Sequence, residues 1–377
     1  MPVTGWKIRL LVIGLTAGVQ LSAAADEGPL GPILSGRVQY DISHVDLPGG
    51  TSENDQTLRR FRLGVSDELD FGGTYKAEVN INDAGDVTIT SAFVDLHMSG
   101  DHTVRFGQDK TPNSLDEMTS STALVFAERP TFTDTFELDR RFGISLGRED
   151  EPVSYRIGLY GGNLNESAFS GEYAIAARVY NTRQLTRGAV HFGLSGRLRE
   201  AGGRSIAYEV DDPSRWRAAA APDRKEVRRD RFLGGEAAAT WDRYWAAGEI
   251  GVIGRGAGGP VSYAEGGYVA GGVMFGGRRR LQNGKFLSPR IVRPVDRDGH
   301  GAVGVSARYD RIDLAEVNLD RDETEIFNIS VDWWLNDHAH LMLTGFQSRS
   351  EISATGTTLT GNSATARGWT MRFQVSF

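Results

Sequence analysis

Trp369-Thr-Met371-Arg-Phe373-Gln-Val375-Ser-Phe377 closes the printed chain, and apolar residues occupy every second position of this stretch. Successive side chains of a β-strand point to opposite faces of the sheet. Strict alternation therefore predicts a strand with one apolar face and one polar face. A strand of this kind is the building unit of a barrel whose outer wall meets lipid and whose interior meets water.

Similar stretches of about ten residues recur along the chain, and the final strand ending in Phe377 resembles the C-terminal signature of bacterial outer-membrane barrels. We expect an all-β fold, a 16-stranded antiparallel transmembrane β-barrel with one or more long loops folded inward. A water-soluble β-sandwich also alternates but rarely reaches sixteen strands in one sheet. The predicted strands are 37–45, 57–66, 73–82, 91–98, 102–108, 140–147, 153–160, 173–180, 189–198, 233–242, 244–253, 266–275, 301–310, 324–334, 338–348 and 367–377.

The N-terminus predicts export. Lys7 and Arg9 form a short positive region at the start of an apolar run over 8–21. Ala23-Ala24-Ala25 then offers a cleavage site. The run is shorter than the roughly 20 residues of a transmembrane helix. We expect a signal peptide over 1–25, a barrel domain over 26–377, and a location in the bacterial outer membrane with its lipid as a partner. The chain contains no cysteine, so disulfides and thiolate chemistry are excluded.

The predicted connections alternate between short and long, as the periplasmic turns and external loops of such barrels do. The connection over 109–139 is the third external loop, and the connection over 199–232 is the fifth. One connection breaks the rule, because 276–300 is long although parity places it on the periplasmic side. It either folds back into the channel mouth or contains an additional hairpin. It is strongly basic, with seven Arg or Lys residues and two Asp residues.

Nine local stretches carry a family resemblance, and they are Gly36–Asp41, Leu58–Val65, Phe106–Pro112, Ser114–Glu117, Phe126–Arg129, Arg140–Ile144, Gly301–Tyr309, Trp333–Asn336 and Met371–Phe377. Together they resemble the phosphate-selective porin O and P family. The resemblance implies a 16-stranded outer-membrane channel, usually a homotrimer, which in some members selects phosphate or other small anions. It implies no cofactor. Asp109 departs from the family pattern, which tends to have an aromatic residue between Gln108 and Lys110.

Alternation also assigns side chains to the lumen, and charges that line a pore decide which ions pass. With apolar residues outward, eleven basic and eight acidic side chains of the strands point inward. The basic ones are Arg37, Arg60, Arg62, Lys76, Arg105, Arg141, Arg156, Arg178, Arg197, Arg308 and Arg372. The acidic ones are Asp41, Glu78, Asp95, Glu236, Asp242, Glu249, Asp310 and Asp332. The pore wall is thus predicted to be net basic, although the chain has a formal net charge of −7.

Arginine suits this role because its planar fork grips phosphate oxygens in pairs. The alternative for each arginine is a salt bridge that joins neighbouring strands. The third loop adds two basic residues but seven acidic ones, so a general or cation-preferring porin is the alternative for the whole channel. The candidate anion-binding residues are Arg37, Arg60, Arg62, Lys76, Arg105, Lys110, Arg129, Arg141 and Arg308.

Other functional classes have weaker support. A barrel-type outer-membrane hydrolase would need a Ser/His/Asp cluster, and Gly143–Gly147 matches a nucleophile-elbow pattern only inside an alternating strand with no helix after it. A surface adhesin would carry longer external loops. We expect no enzyme activity, no metal site, no cofactor and no nucleic-acid binding. Tyr244, Trp245, Trp333 and Trp334 are interpreted as an aromatic girdle at the membrane interface.

Overall fold

Sixteen antiparallel strands form a closed barrel in the computed structural model, and two further strands form a separate hairpin. Each of the sixteen predicted stretches overlaps one barrel strand, so the predicted fold class is confirmed. The structure describes residues 31–149, 153–166, 171–203, 206, 208, 227–256, 261–314, 323–351 and 363–377. The predicted signal peptide over 1–25 lies outside the described residues.

The strands follow the chain order around the barrel, and β13 and β14 leave the wall between β12 and β15. Their bounds are β1 Ile33–Asp46, β2 Ser52–Leu69, β3 Gly73–Ile81, β4 Val87–Met98, β5 His102–Lys110, β6 Arg140–Arg148, β7 Ser154–Tyr160, β8 Tyr173–Leu185, β9 Gly188–Glu200, β10 Arg229–Trp241, β11 Tyr244–Gly256, β12 Ser262–Phe275, β13 Gly277–Gln282, β14 Lys285–Ile291, β15 Ala302–Asp313, β16 Glu323–Trp334, β17 Ala339–Glu351 and β18 Ala364–Ser376.

The barrel closes where β18 pairs with β1, and the last residue of the chain takes part in that seam. Phe377 and Gly36 exchange backbone hydrogen bonds of 2.8 and 3.0 Å. A side chain at Gly36 would begin 2.3 Å from the Phe377 ring, so only glycine lets the ring lie against the strand here. Closure leaves no strand edge unpaired, which is the condition for a sheet to persist in lipid.

Burial alternates along the strands as the sequence predicts. In β15, Val303 and Val305 are exposed on the outer wall, whereas Ser306 and Arg308 are buried on the inner side. Exposed Leu, Ile, Val and Phe side chains recur on the outer faces of the other strands, which indicates a wall that faces lipid. None of the helices in the described part of the chain is long and apolar enough to cross a membrane.

The aromatic girdle is half as large as predicted. Tyr244 and Trp333 point outward at strand ends and are 59% and 40% exposed. The prediction is wrong for Trp245 and Trp334, which are buried inside the barrel. Neighbouring residues of a strand point to opposite faces, so only one of each adjacent pair can belong to the girdle. The Trp334 ring stacks instead on His340, with ring centroids 3.6 Å apart.

We expect the seam to depend on a buried ion pair between β1 and β18. Arg372 donates to both carboxylate oxygens of Asp41 at 2.7 Å, and both side chains are buried. Asp41→Ala removes both short hydrogen bonds of the buried Arg372 and leaves it the longer 3.3 Å contact with Glu128, so the free energy of unfolding should decrease by about 3 kcal/mol. The measurement is denaturant-induced unfolding in detergent micelles.

The matched control is Glu323→Ala, which removes the partner of Arg311 in a cross-strand pair of 2.6 Å. Arg311 is about half exposed there, so the loss should stay below about 1 kcal/mol. Equal decreases in the free energy of unfolding in the two variants would show that burial does not make the seam pair more important than an exposed pair.

Candidate functional site: the barrel lumen

The connection between β5 and β6 crosses the interior of the barrel. This segment, residues 111–139, is called the lumen loop below, and it contains α1 (Leu115–Met118) and α2 (Thr131–Thr135). It forms hydrogen bonds with inward side chains of strands that are not adjacent to β5 and β6, the two strands that it connects. Ser121 accepts from Arg37 of β1 at 2.7 Å, and the Ala127 amide donates to Thr344 of β17 at 3.1 Å.

Glu249 of β11 holds the start of α1. Its two carboxylate oxygens accept from the backbone amides of Leu115 at 2.8 Å and Asp116 at 2.7 Å. The Tyr268 hydroxyl also donates to this carboxylate, at 2.9 Å. Amides of a first helical turn have no partner within the helix. A carboxylate on the opposite wall therefore fixes the position at which the lumen loop crosses the barrel.

Apolar side chains fill the lumen on one side. Phe132 and Phe136 of the lumen loop pack against Phe232, Ile253 and Ile312, which point inward from β10, β11 and β15. A second cluster joins Val125 and Phe126 of the loop to inward residues of β11, β12 and β16. These inward positions depart from the polar lining that alternation predicts. The side of the barrel formed by β10 to β12 and β15 is thus packed like a protein core.

The segment 276–300 contains a hairpin, and that hairpin also folds into the barrel. The basic hairpin is defined as β13 and β14, residues 277–291. Leu281 and Phe286 are buried against Trp245, and the Arg279 guanidinium lies 4.6 Å from the Trp245 ring. Burial of Arg279 lowers its pKa to about 10. The Phe286 amide donates to Thr119 of the lumen loop at 3.1 Å, so the two segments meet inside the lumen.

An open cavity of about 770 Å³ remains on the other side, along β1 to β7. Within the described residues, thirteen Arg or Lys and ten Asp or Glu side chains line it. Eight of the nine candidate anion-binding residues are among them, and Arg308 is not. Five lining cations were not among the candidates, namely Arg59, Arg140, Arg156, Arg199 and Lys285.

Three cations of the cavity wall share one carboxylate. Glu78 of β3 lies 3.2 Å from Arg37, 3.4 Å from Arg62 and 3.5 Å from Lys76. Thr90 also donates to Glu78, at 2.8 Å. A single negative charge cannot neutralise three positive ones, so this part of the wall carries a local excess of about two positive charges.

A β-bulge in β2 brings two consecutive arginines into the lumen. The register shifts between Gln39 and Tyr40, so that Gln39 lies opposite Arg60 and Tyr40 lies opposite Leu58. Arg59 is the additional residue, and a bulge redirects a side chain in this way. Arg59 pairs with Glu128 at 2.8 Å. Arg60 donates to the Gln39 side chain at 2.8 Å, and no carboxylate among the described residues lies within ion-pair distance of it.

Arg105 is neutralised by the residue that departs from the family pattern. It pairs with Asp95 of β4 at 2.7 Å and also contacts Asp109, and its guanidinium lies 3.8 Å from the Phe93 ring. Asp109 additionally accepts from Ser91 at 3.1 Å. Arg141 likewise has a partner, because it lies 2.5 Å from Glu172. These two arginines join parts of the wall to each other.

Lys110 and Arg129 face the cavity but also fix the lumen loop. Glu117 lies 3.4 Å from Lys110 and 3.3 Å from Arg129. Burial alone would raise the pKa of Glu117, but Arg129 and Lys110 outweigh it and hold the pKa below its usual value. Burial, reinforced by Glu117, raises the pKa of Asp139. Most acidic side chains of the loop are therefore committed to local partners.

Arg308 lies outside the cavity, on the packed side of the lumen. It pairs with Asp310 at 2.7 Å and donates to the carbonyl oxygens of Glu128 and Arg129. Arg308 therefore anchors the lumen loop, and it does not belong to the residues that line the cavity. Asp242 is not an inward strand residue either, because it lies in the β10–β11 turn with a φ of 51°. No group of three or more His, Asp or Glu among the described residues is placed to hold a metal ion.

The chain matches the family described as phosphate-selective porin O and P over residues 34–377. A protein of Caulobacter vibrioides described as uncharacterized is 28% identical over 337 residues. That match covers 82% of this chain and 66% of the relative, so the chain spans just under two thirds of the relative's length.

Two solved structures share the fold at low sequence identity. An anion-selective porin from Comamonas acidovorans has a TM-score of 0.60 at 12% identity, with 92% of this chain and 99% of that chain covered. The outer membrane channel DcaP of Acinetobacter baumannii has a TM-score of 0.57 at 12% identity, with 92% and 97% covered.

Single cysteines test which part of the inner wall meets water, because the chain has none of its own. Lys76 lines the cavity, whereas Ser330 of β16 points inward but is fully buried beside Thr344. We expect a charged thiol reagent to modify Lys76→Cys rapidly and Ser330→Cys at least about tenfold more slowly. The readout is the rate of mass increase in detergent micelles, and denatured Ser330→Cys serves as the reactive control. Equal rates in the folded state would mean that the packed side is open to water.

Proposed function

Since the chain belongs to the phosphate-selective porin O and P family, we propose that it forms a passive diffusion channel for small anions such as phosphate in the outer membrane. The function needs no catalytic residue and no bound cofactor. A homotrimer in the membrane and a cleaved signal peptide over 1–25 are part of the same proposal. A vibrio outer-membrane protein with the same fold is described as a trimer, at 10% identity and a TM-score of 0.58.

The excess of positive charge along the open side of the lumen carries this proposal. Arg37, Arg62 and Lys76 share Glu78, and Arg60 donates to the Gln39 side-chain oxygen and has no carboxylate partner in the described part of the chain. An arginine whose fork is not occupied by a carboxylate presents paired N–H donors to phosphate oxygens. Side chains that are partly neutralised bind an anion weakly enough to release it, which conduction requires.

The alternative of a cation-preferring channel rests on the acidic lumen loop. Asp116 pairs with Arg129, Glu117 with Lys110 and Arg129, and Glu128 with Arg59 and Arg372. Burial would raise the pKa of Glu128, but Arg59 and Arg372 outweigh it and hold this pKa well below its usual range. These three loop acids are each paired with neighbouring cations, so their combined field along the open path is weak.

The direct test is electrical. The purified protein is inserted into planar bilayers across a KCl gradient, the reversal potential is measured, and phosphate is then titrated. We expect an anion-selective potential and a phosphate-dependent decrease in the chloride current. A cation-selective or neutral potential without phosphate block would reject the proposal, and absence of any conductance would return attention to a barrel-type hydrolase.

Arg60→Gln should weaken anion preference. A unit charge at about 7 Å interacts with an ion in water by about 0.6 kcal/mol, which corresponds to an about threefold change in local anion concentration. The local cation concentration changes by the same factor in the opposite direction, so the anion-to-cation permeability ratio should decrease by about sevenfold, and phosphate should block less strongly. Arg311→Gln is the matched control, because Arg311 is an exposed arginine of β15 outside the cavity lining. A decrease of equal size in both variants would locate selectivity elsewhere.

Glu78→Gln should change selectivity in the opposite direction. It removes the one negative charge that Arg37, Arg62 and Lys76 share and retains an amide for hydrogen bonding. We expect the anion-to-cation permeability ratio to increase by about sevenfold, because the anion and cation concentrations change in opposite directions. Conductance traces at equal salt would check that the pore remains open. An unchanged ratio would mean that this cluster lies off the permeation path.

A further inference from the structure

A groove runs over the outer wall of the barrel, on the face that meets lipid. It has a volume of about 740 Å³ and lies over β8 to β11. Small residues form its floor, because Gly235 of β10 lies between Leu194 and Ile250, and Ala237 lies between Phe192 and Gly248. Phe192, Leu194 and Ile250 are at least 60% exposed and form the two sides. A groove between large apolar side chains can accommodate an extended hydrocarbon chain.

The same strands end in a cluster of arginines at the rim of the barrel. Arg187 precedes β9 and pairs with Asp242, which lies with Arg243 in the β10–β11 turn. Arg278 follows β12, and Arg187, Arg278 and Arg243 all lower the pKa of Asp242, the hydrogen bond from Arg187 having the largest effect. Three cations thus surround one carboxylate, in a chain that is net acidic. Among the described residues, Arg243 and Arg278 make no ion pair of their own within 4 Å.

Aromatic side chains place this cluster at the membrane interface. The Arg187 guanidinium lies 5.5 Å from the Trp241 ring, and that of Arg243 lies 5.7 Å from the Phe275 ring. Both rings are about half exposed on the outer wall, and exposed aromatic residues mark the level of lipid headgroups. Trp241 is four residues from Ala237 on β10, roughly 13 Å along the strand. An acyl chain that begins at this rim is long enough to lie in the groove.

We propose that the groove and the arginines around Asp242 form one site for an anionic phospholipid of the adjoining leaflet. The phosphate and any second headgroup charge bind Arg187, Arg243 and Arg278, and one acyl chain lies over Gly235, Ala237 and Gly248. Charge complementarity selects an anionic lipid over a zwitterionic one, because the net positive cluster stands directly at the end of the apolar valley. The site is on the outside of the barrel, so it is independent of which ions the lumen conducts.

Native mass spectrometry of the full chain in detergent tests the site, with phosphatidylglycerol as the anionic probe and phosphatidylethanolamine as the zwitterionic one. The wild-type protein should retain phosphatidylglycerol preferentially. The double variant R187Q/R243Q should lower this preference by about 25-fold, since each of the two arginines at an anionic lipid surface contributes a factor of about five. The control is R293Q/R297Q. It removes two exposed arginines of the segment 276–300 that follow the basic hairpin.

Ala237→Trp tests the groove without a change in charge. It should reduce retention of both lipids, because the indole occupies the valley floor. Equal lipid preference in the wild type and R187Q/R243Q would overturn the proposal. Dissociation of an oligomer by Ala237→Trp, with no retained lipid in the wild type, would also overturn it and assign the groove to a second copy of the chain. The reversal potential of R187Q/R243Q should match the wild type, which separates this test from that of ion selectivity.

Discussion

The demand that every backbone amide and carbonyl have a partner in lipid governs this structure. A sheet meets that demand only when its first and last strands pair, and here β1 and β18 do so through the final residue of the chain. Once the sheet is closed, its interior has a fixed width that the wall alone does not fill. The rest of the structure consists of the segments that occupy this interior and of the contacts that attach them to the inner wall.

The interior is occupied unequally. The lumen loop and the basic hairpin pack onto β10 to β12 and β15 with apolar side chains, and they leave β1 to β7 facing an aqueous cavity. Buried charges on the packed side serve as anchors. Glu249 holds α1, and Arg308 holds the carbonyl oxygens of Glu128 and Arg129. Charges on the open side are partly free of carboxylates, and in the proposed channel they line the path for ions. One wall thus supports the plug, and the other lines the open cavity.

The sixteen strands were predictable from the sequence because alternation with period two is a local property that each strand expresses by itself. Six of the nine candidate cations line the cavity for this reason, and Lys110 and Arg129, which were candidates from the third loop, line it as well. Arg59 was missed because a bulge inserts a residue that alternation cannot register. Arg308 was misplaced because period two assigns a face but says nothing about what lies against it. Trp245 was misplaced because the girdle assignment took both members of an adjacent pair, which alternation does not allow. Contacts of the lumen loop join residues that are far apart in the chain, for example 84 positions for Arg37 and Ser121 and 217 positions for Ala127 and Thr344, so no local pattern reports them.

The hydrogen bond from the Phe286 amide to Thr119 joins two segments that enter the barrel from opposite rims. The lumen loop leaves the wall at the end of β5, and the basic hairpin leaves it at the end where the chain itself terminates. Their junction can form only when both have entered the same enclosed space. The hydrogen bond therefore couples the two halves of the plug to each other, so that a displacement of either segment removes a contact of the other.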